Sequence, residues 1–230
     1  MTVHAPAATP VDTTPVRRTP WPYAALVSGL AAGGSTFFLA QTPESFDGPP
    51  QATTGFLVER LADPGTVQAG GTLALVGLAA SLVFLLGLTR FHARHAPRRG
   101  GLVEALRWTS IAFLGAGAVG VLLRYVAASG VPGGTDSAFY SPEAAVTLAV
   151  LADQAAFGAF LPGLAVMTVV GLLSVRDRVL PLGVGVVALV LAAASTAATV
   201  VLGLPYSAGL VWPLFAVVVG VAGLASRRPA

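Results

Sequence analysis

Polar and charged residues along this chain fall into short clusters that separate six long apolar runs. These run roughly from Trp21 to Ala40, Thr72 to Thr89, Trp108 to Ala127, Leu148 to Val175, Pro181 to Leu202 and Leu210 to Ala225. A helix needs about 20 residues, at 1.5 Å rise each, to cross a hydrocarbon core of about 30 Å, so each run is a candidate transmembrane span. The fourth has the fullest set of boundary signals. Ser141 reads as its N-cap, Pro142 as its first helical residue and Glu143 as a first-turn acid suited to the positive end of the helix dipole. Arg176-Asp177-Arg178 closes it. The expected fold is an all-α, polytopic transmembrane helix bundle of six spans.

The segments between the runs differ in character. Residues 1–20 are rich in Pro, Thr and Ala without apolar periodicity, which predicts a disordered tail. Arg17-Arg18 before the first run raises the possibility of a cleaved signal. Phe38-Leu39-Ala40 lacks the small residue expected three before a cut, however, and a retained helix with Trp21 and Tyr23 at the interface is the preferred reading. Residues 41–71 are acidic and proline-rich. Within them Phe56-Leu57-Val58-Glu59-Arg60-Leu61 can form a short amphipathic helix on the outer surface, and Asp63-Pro64 caps the second span. The domain organisation expected is a tail over 1–20 and one six-helix domain over 21–228, with its outer loop at 41–71.

Charge sets the orientation. All thirteen basic residues are arginine. With both termini cytoplasmic, only Arg60 and Arg124 lie outside and the remaining eleven lie inside. A formal charge of +3 could suggest nucleic acid, but the arginines are dispersed between apolar runs, the signature of topology rather than of a phosphate-binding face. With 10% charged residues, 55% hydrophobic residues and a mean hydropathy of +0.79, the composition is that of an integral membrane protein. The dominance of Ala, Gly, Val, Leu, Pro and Arg reads as the codon bias of a GC-rich bacterial genome, so the expected location is the bacterial plasma membrane, crossed several times.

Little in the sequence points to catalysis. The absence of cysteine excludes disulfides, thiolate metal sites and cysteine nucleophiles. No Gly-x-Ser-x-Gly, His-Glu-x-x-His or phosphate-loop motif occurs. His4, His92 and His95 lie outside the apolar runs, so no cofactor ligand is expected within the membrane. His92 and His95 read as a solvated cytoplasmic end. The chain is expected not to be an enzyme, and no cofactor is expected.

The candidate polar site is Arg124, Asp153 and Gln154. Asp153 and Gln154 interrupt the fourth span one to two turns from its outer end, where an unpaired carboxylate is costly. Arg124 lies at matching depth on the third span, so Asp153 and Arg124 are expected to pair. The preferred reading is a structural ion pair locking the two spans; the alternative is an outward-facing pocket for a ligand or proton. Ala24, Ser28 and Ala32 form a small-residue stripe on the first span, a docking face for a helix of this protein or of a membrane partner. Gly115, Gly117 and Gly120 permit close approach to the third span. Pro162 and Pro213 each lie 14 residues before an arginine; paired kinks of the transporter kind are one reading, and a chance match in low-complexity sequence is the preferred one.

The outer segment Phe56 to Leu61 and the stretch GLLSVRDRVLPLGVGVV, Gly171 to Val187, resemble a bacterial family of six-span membrane proteins known only as a domain of unknown function. The resemblance implies a fold and no activity. The functional expectation is therefore a non-catalytic structural or accessory subunit in the lipid bilayer. The alternative is a solute-binding membrane subunit of a transporter, since the substrate-capturing components of energy-coupling-factor transporters are similar in span number, small-residue stripe and outer loop.

Overall fold

The computed structural model describes residues 20–39, 64–95, 100–127, 141–204 and 207–226. Seven helices occupy them: α1 (Trp21–Leu39), α2 (Pro64–His95), α3 (Gly100–Ala127), α4 (Pro142–Gly158), α5 (Leu161–Asp177), α6 (Leu182–Leu202) and α7 (Ser207–Ala225). No strand is present among the described residues. The amphipathic segment Phe56 to Leu61, the tail up to residue 19 and Arg17, Arg18, Arg60, Arg98, Arg99, Arg227 and Arg228 lie outside them.

Helix ends follow local chemistry. The Ser141 hydroxyl accepts the Ala144 backbone N–H at 3.3 Å, the N-cap expected from the sequence. Backbone hydrogen bonding, and then the Ser141 hydroxyl, hold the exposed Glu143 carboxyl below its ordinary range. Pro64 and Pro142 are first residues of helices, where a missing N–H costs nothing, and Pro181 caps α6. Arg178 and Gly203 close α5 and α6 in the left-handed conformation, at φ 52° and 67°.

The fourth run is not one helix. It is divided at Ala159-Phe160 into α4 and α5, of 17 residues each. Pro162 has no N–H to give the Gly158 carbonyl, and its ring crowds that same carbonyl. The chain therefore restarts, with Pro162 in the first turn of α5 and the Gly163 N–H bonded to the Phe160 carbonyl at 2.9 Å. Pro213 behaves differently, because α7 continues through it.

Consecutive helices pack against one another around a ring, α1 on α2, α2 on α3, α3 on both α4 and α5, α5 on α6, and α6 on α7, which returns to α1. The α1–α7 seam is nearly backbone to backbone: a Cβ on Gly29 would lie 2.8 Å from the Pro213 carbonyl oxygen, and one on Gly220 would lie 2.9 Å from that of Pro22. Inside the ring an aromatic column runs along the bundle axis. Trp21 stacks on Phe84 with centroids 6.3 Å apart, Phe84 meets Trp212 and Phe215, and Trp212 stacks on Phe113 at 4.0 Å. Trp21 is 2% exposed. It is a core residue and not the interfacial anchor expected from its position at the head of a span; Tyr23 is exposed as expected.

Four helical stretches, Ala69–His95, Gly100–Arg124, Leu182–Leu202 and Ser207–Ala225, are long and apolar enough to cross a membrane. Their outward faces are apolar too, with Leu82, Leu86, Leu122, Val190, Val201 and Leu214 all exposed. Arg90, Arg94, Arg107, Arg176 and Arg178 are all exposed at one end of the bundle, where α2 and α5 finish and α3 begins. Arg124 stands at the other end.

Helix α2 extends six residues beyond Thr89, and this changes the reading of its histidines. His92 is fully buried, with neither ring nitrogen hydrogen-bonded among the described residues, and it lies within electrostatic range of Asp177 at the end of α5. Only His95 is at the surface as expected, its Nδ1 2.8 Å from the Phe91 carbonyl oxygen.

Candidate functional site: a cavity at Arg124

The break between α4 and α5 coincides with a partly open cavity of about 60 Å³. Five parts of the chain wall it: the second half of α1 (Ala32, Ser35), the middle of α2 (Ala74, Gly77, Leu78, Ser81), α3 from its middle onwards (Phe113, Gly117, Gly120, Val121, Arg124), the α4–α5 break (Ala159, Phe160) and Trp212 of α7. The space is open because so many of the residues facing it are small.

Close helix approach sets the walls. A Cβ on Gly120 would lie 3.0 Å from Ala159 Cβ and 3.1 Å from the Ala155 carbonyl oxygen, so α3 and α4 touch there with little between them. At the start of α5, a Cβ on Gly163 would lie 3.0 Å from Trp212 Cε3 and 3.2 Å from the Phe113 ring. The absence of that side chain lets α5 begin directly against the stacked pair that floors the cavity. Gly117 faces Leu78, whereas Gly115 faces open space; of the three glycines expected to permit close approach on this helix, two do.

The polar groups are few. Arg124 is 4% exposed. The Ser81 hydroxyl shares a hydrogen bond of 2.7 Å with that of Ser28, and Ser35 donates to the Gly70 carbonyl at 3.1 Å. Trp212 is fully buried and its indole N–H has no hydrogen-bond partner among the described residues. Among the described residues, no acidic side chain, histidine or cysteine lines the cavity.

Neither a protein-family model, nor a curated protein, nor a solved structure matches this chain.

Of the three residues singled out by sequence, Arg124 lines the cavity and Gln154 lies on an exposed face of α4. Asp153 belongs to α4 by its backbone, and its side chain lies outside the described residues. The stripe of Ala24, Ser28 and Ala32 is used within the protein: Ser28 bonds to Ser81, and Gly77 of α2 approaches the Ala32 backbone. Trp212, Phe113, Phe160 and Ser81 were not singled out. For Trp212 the one available signal was an indole immediately before a mid-span proline. Ser81 and Gly77 share a four-residue spacing on α2, the kind of small-residue stripe recognised on α1.

Proposed function

We propose that the chain is a non-catalytic integral protein of the bacterial plasma membrane that binds a small molecule in the cavity at Arg124. The six passes are α1, α2, α3, α4 with α5, α6 and α7. Both termini are cytoplasmic, with the arginine-rich end inside and the cavity in the outer half of the bilayer. The observation that carries the binding reading is the combination of a largely apolar space with a buried arginine among the residues that line it. An arginine is expensive to bury in such a place, and intramembrane ionisable residues are concentrated at ligand and ion pathways. The divided fourth pass adds support, since helices interrupted at mid-membrane are where transporter-type proteins place their binding sites.

The test is a thermal-stability screen of small molecules on the full chain in lipid nanodiscs, with Ala74→Phe as the cavity-filled control. A binder raises Tm in proportion to ln(1 + [L]/Kd). Compounds that stabilise the wild type and leave Ala74→Phe unmoved support the reading. Equal shifts in both proteins, or none in either, would sink it.

A second reading is a structural or accessory subunit of a larger membrane complex. It is favoured by the outward face of α6, where Leu182, Val186 and Val190 recur at four-residue spacing and are exposed. Lipid covers such a face equally well, which leaves the cavity as the more specific feature.

A further inference from the structure

We infer that the arginine-rich end of the α2–α3 hairpin is a headgroup site for an anionic phospholipid, with Arg90, Arg94 and Arg107 on its phosphate and Trp108 below them at the level of the glycerol esters. The inference does not depend on ligand binding in the cavity. It needs only that the bundle sits in a bilayer.

The cations share a level. Helices α2 and α3 pack against each other and are joined by residues 96–99, so their ends stand side by side. Arg90 lies five residues before the end of α2 at His95, and Arg107 seven residues after the start of α3 at Gly100. At 1.5 Å rise these are about 7.5 and 10.5 Å along the two axes, less than one turn apart, and Arg94 is one turn nearer the aqueous end than Arg90. All three are exposed. The Glu104 carboxylate lies 4.0 Å from Arg107 with both side chains exposed, a pair worth little in water that leaves most of the five guanidinium donors for a phosphodiester. Arg90 and Arg94 have no ion pair among the described residues.

Below the cations the exposed faces turn apolar. On α2 the exposed series Leu82, Leu86, Arg90, Arg94 runs at four-residue spacing from hydrocarbon to charge. On α3, Arg107 is followed by exposed Trp108, Ile111, Val119 and Leu122. Trp108 is 61% exposed, whereas Trp21 and Trp212 are buried in the core; an exposed indole beside an arginine has the amphipathic character favoured at headgroup level. Gly115 is exposed, and a Cβ there would meet nothing within 4 Å, which leaves a shallow notch between Ile111 and Val119 for an acyl chain. A soluble anion would use the arginines and gain nothing from this strip. Charge then selects the lipid: a zwitterionic headgroup brings its own ammonium among three guanidinium groups, and an anionic one does not.

The experiment places the full chain in bilayers of equal parts phosphatidylglycerol and phosphatidylcholine, with brominated acyl chains on one lipid or the other, and reads the quenching of tryptophan emission. The chain has three tryptophans, and Trp108→Phe supplies the background from the two buried ones. Expected is at least twofold stronger quenching of Trp108 by brominated phosphatidylglycerol than by brominated phosphatidylcholine. Arg107→Gln and the double variant Arg90→Gln with Arg94→Gln should each bring that ratio towards one. Arg178→Gln, which removes a cation at the same end of the bundle but after α5, should leave it unchanged. Equal quenching by the two lipids would overturn the inference, as would a preference that persists in Trp108→Phe. An effect of Arg178→Gln equal to that of Arg107→Gln would replace the site with unspecific attraction to the whole positive end. Loss of the preference in phosphate buffer, but not in chloride of equal ionic strength, would assign the arginines to a soluble anion and overturn the lipid assignment.

Discussion

Ser28 of α1 and Ser81 of α2 meet hydroxyl to hydroxyl at 2.7 Å, both buried, where the two helices cross beside the cavity. Each satisfies the other, so removing one leaves a buried hydroxyl whose remaining option is its own helix backbone. Interhelical hydrogen bonds of this kind in membranes average about 0.6 kcal/mol and reach about 1.7. Ser28→Ala and Ser81→Ala are each expected to cost about 0.5–1.5 kcal/mol, and the double variant less than their sum. A double-mutant cycle of unfolding in detergent measures this; additivity within about 0.3 kcal/mol would show that the two hydroxyls are not coupled.

A Cβ on Gly87 would run into Trp21 Cβ, at the point where α1 and α2 pack with the indole between them. Gly115 on α3 has nothing within 4 Å of the same position. Gly87→Ala should therefore destabilise by about 1–3 kcal/mol through overpacking, whereas Gly115→Ala should be neutral or stabilising by up to about 1 kcal/mol. Thermal unfolding of the two variants side by side tests the packing of Trp21. Equal behaviour would mean that the indole is not held against Gly87.

How much of this was legible beforehand depends on the kind of residue. Helix starts at Pro64, Ser141-Pro142 and Pro181 were readable because capping and proline chemistry are local. The charged stop at Arg176 to Arg178 was readable for the same reason. Trp21 and His92 were not. Each lies near the end of an apolar run, where it could equally face headgroups or a neighbouring helix, and only the approach of α2 and α7 to α1, or of α5 to α2, decides. A helix apolar on every side offers no hydrophobic phase that marks its inner face. Small and polar residues are the remaining markers, which is why Ser28, Ala32 and Arg124 were picked out and Phe113 and Trp212 were not.

The proposed topology predicts labelling from one side. Single cysteines at Ala52→Cys and Thr135→Cys should react with an impermeant thiol reagent on intact cells, and Ala96→Cys only after lysis. The chain contains no other cysteine, so no background competes. Labelling of Ala96→Cys in intact cells with protection of the other two would invert the orientation and place the cavity in the cytoplasmic half.

Arg124 is expected to couple to Asp153. The two belong to helices in contact, α3 and α4, and Gly120 approaches Ala155 one turn from Arg124. If they pair, Arg124→Gln and Asp153→Asn should each cost more than the double variant, because each leaves a buried charge without its partner. Coupling below about 0.5 kcal/mol, the scatter for independent sites, would separate them and assign Arg124 to the cavity alone.

Pro162 is the residue that divides the fourth apolar run, and its replacement is the sharpest test of why the cavity exists. Pro162→Ala returns an N–H able to reach the Gly158 carbonyl and removes the ring that crowds it. Residues 159–161 should then join α4 and α5 into one helix, which carries Ala159 and Phe160 away from their places on the cavity wall. Amide exchange over 158–163 should slow as the ladder closes, since the amide at 162 gains a partner the proline cannot have. Ligand binding should fall with no loss of global stability, because Pro162 lies in the first turn of α5, where it costs little, and its replacement adds one backbone hydrogen bond. Faster exchange in this segment, or unchanged binding, would mean that the break is held by the packing of Gly163 against Trp212 and Phe113 and not by the proline.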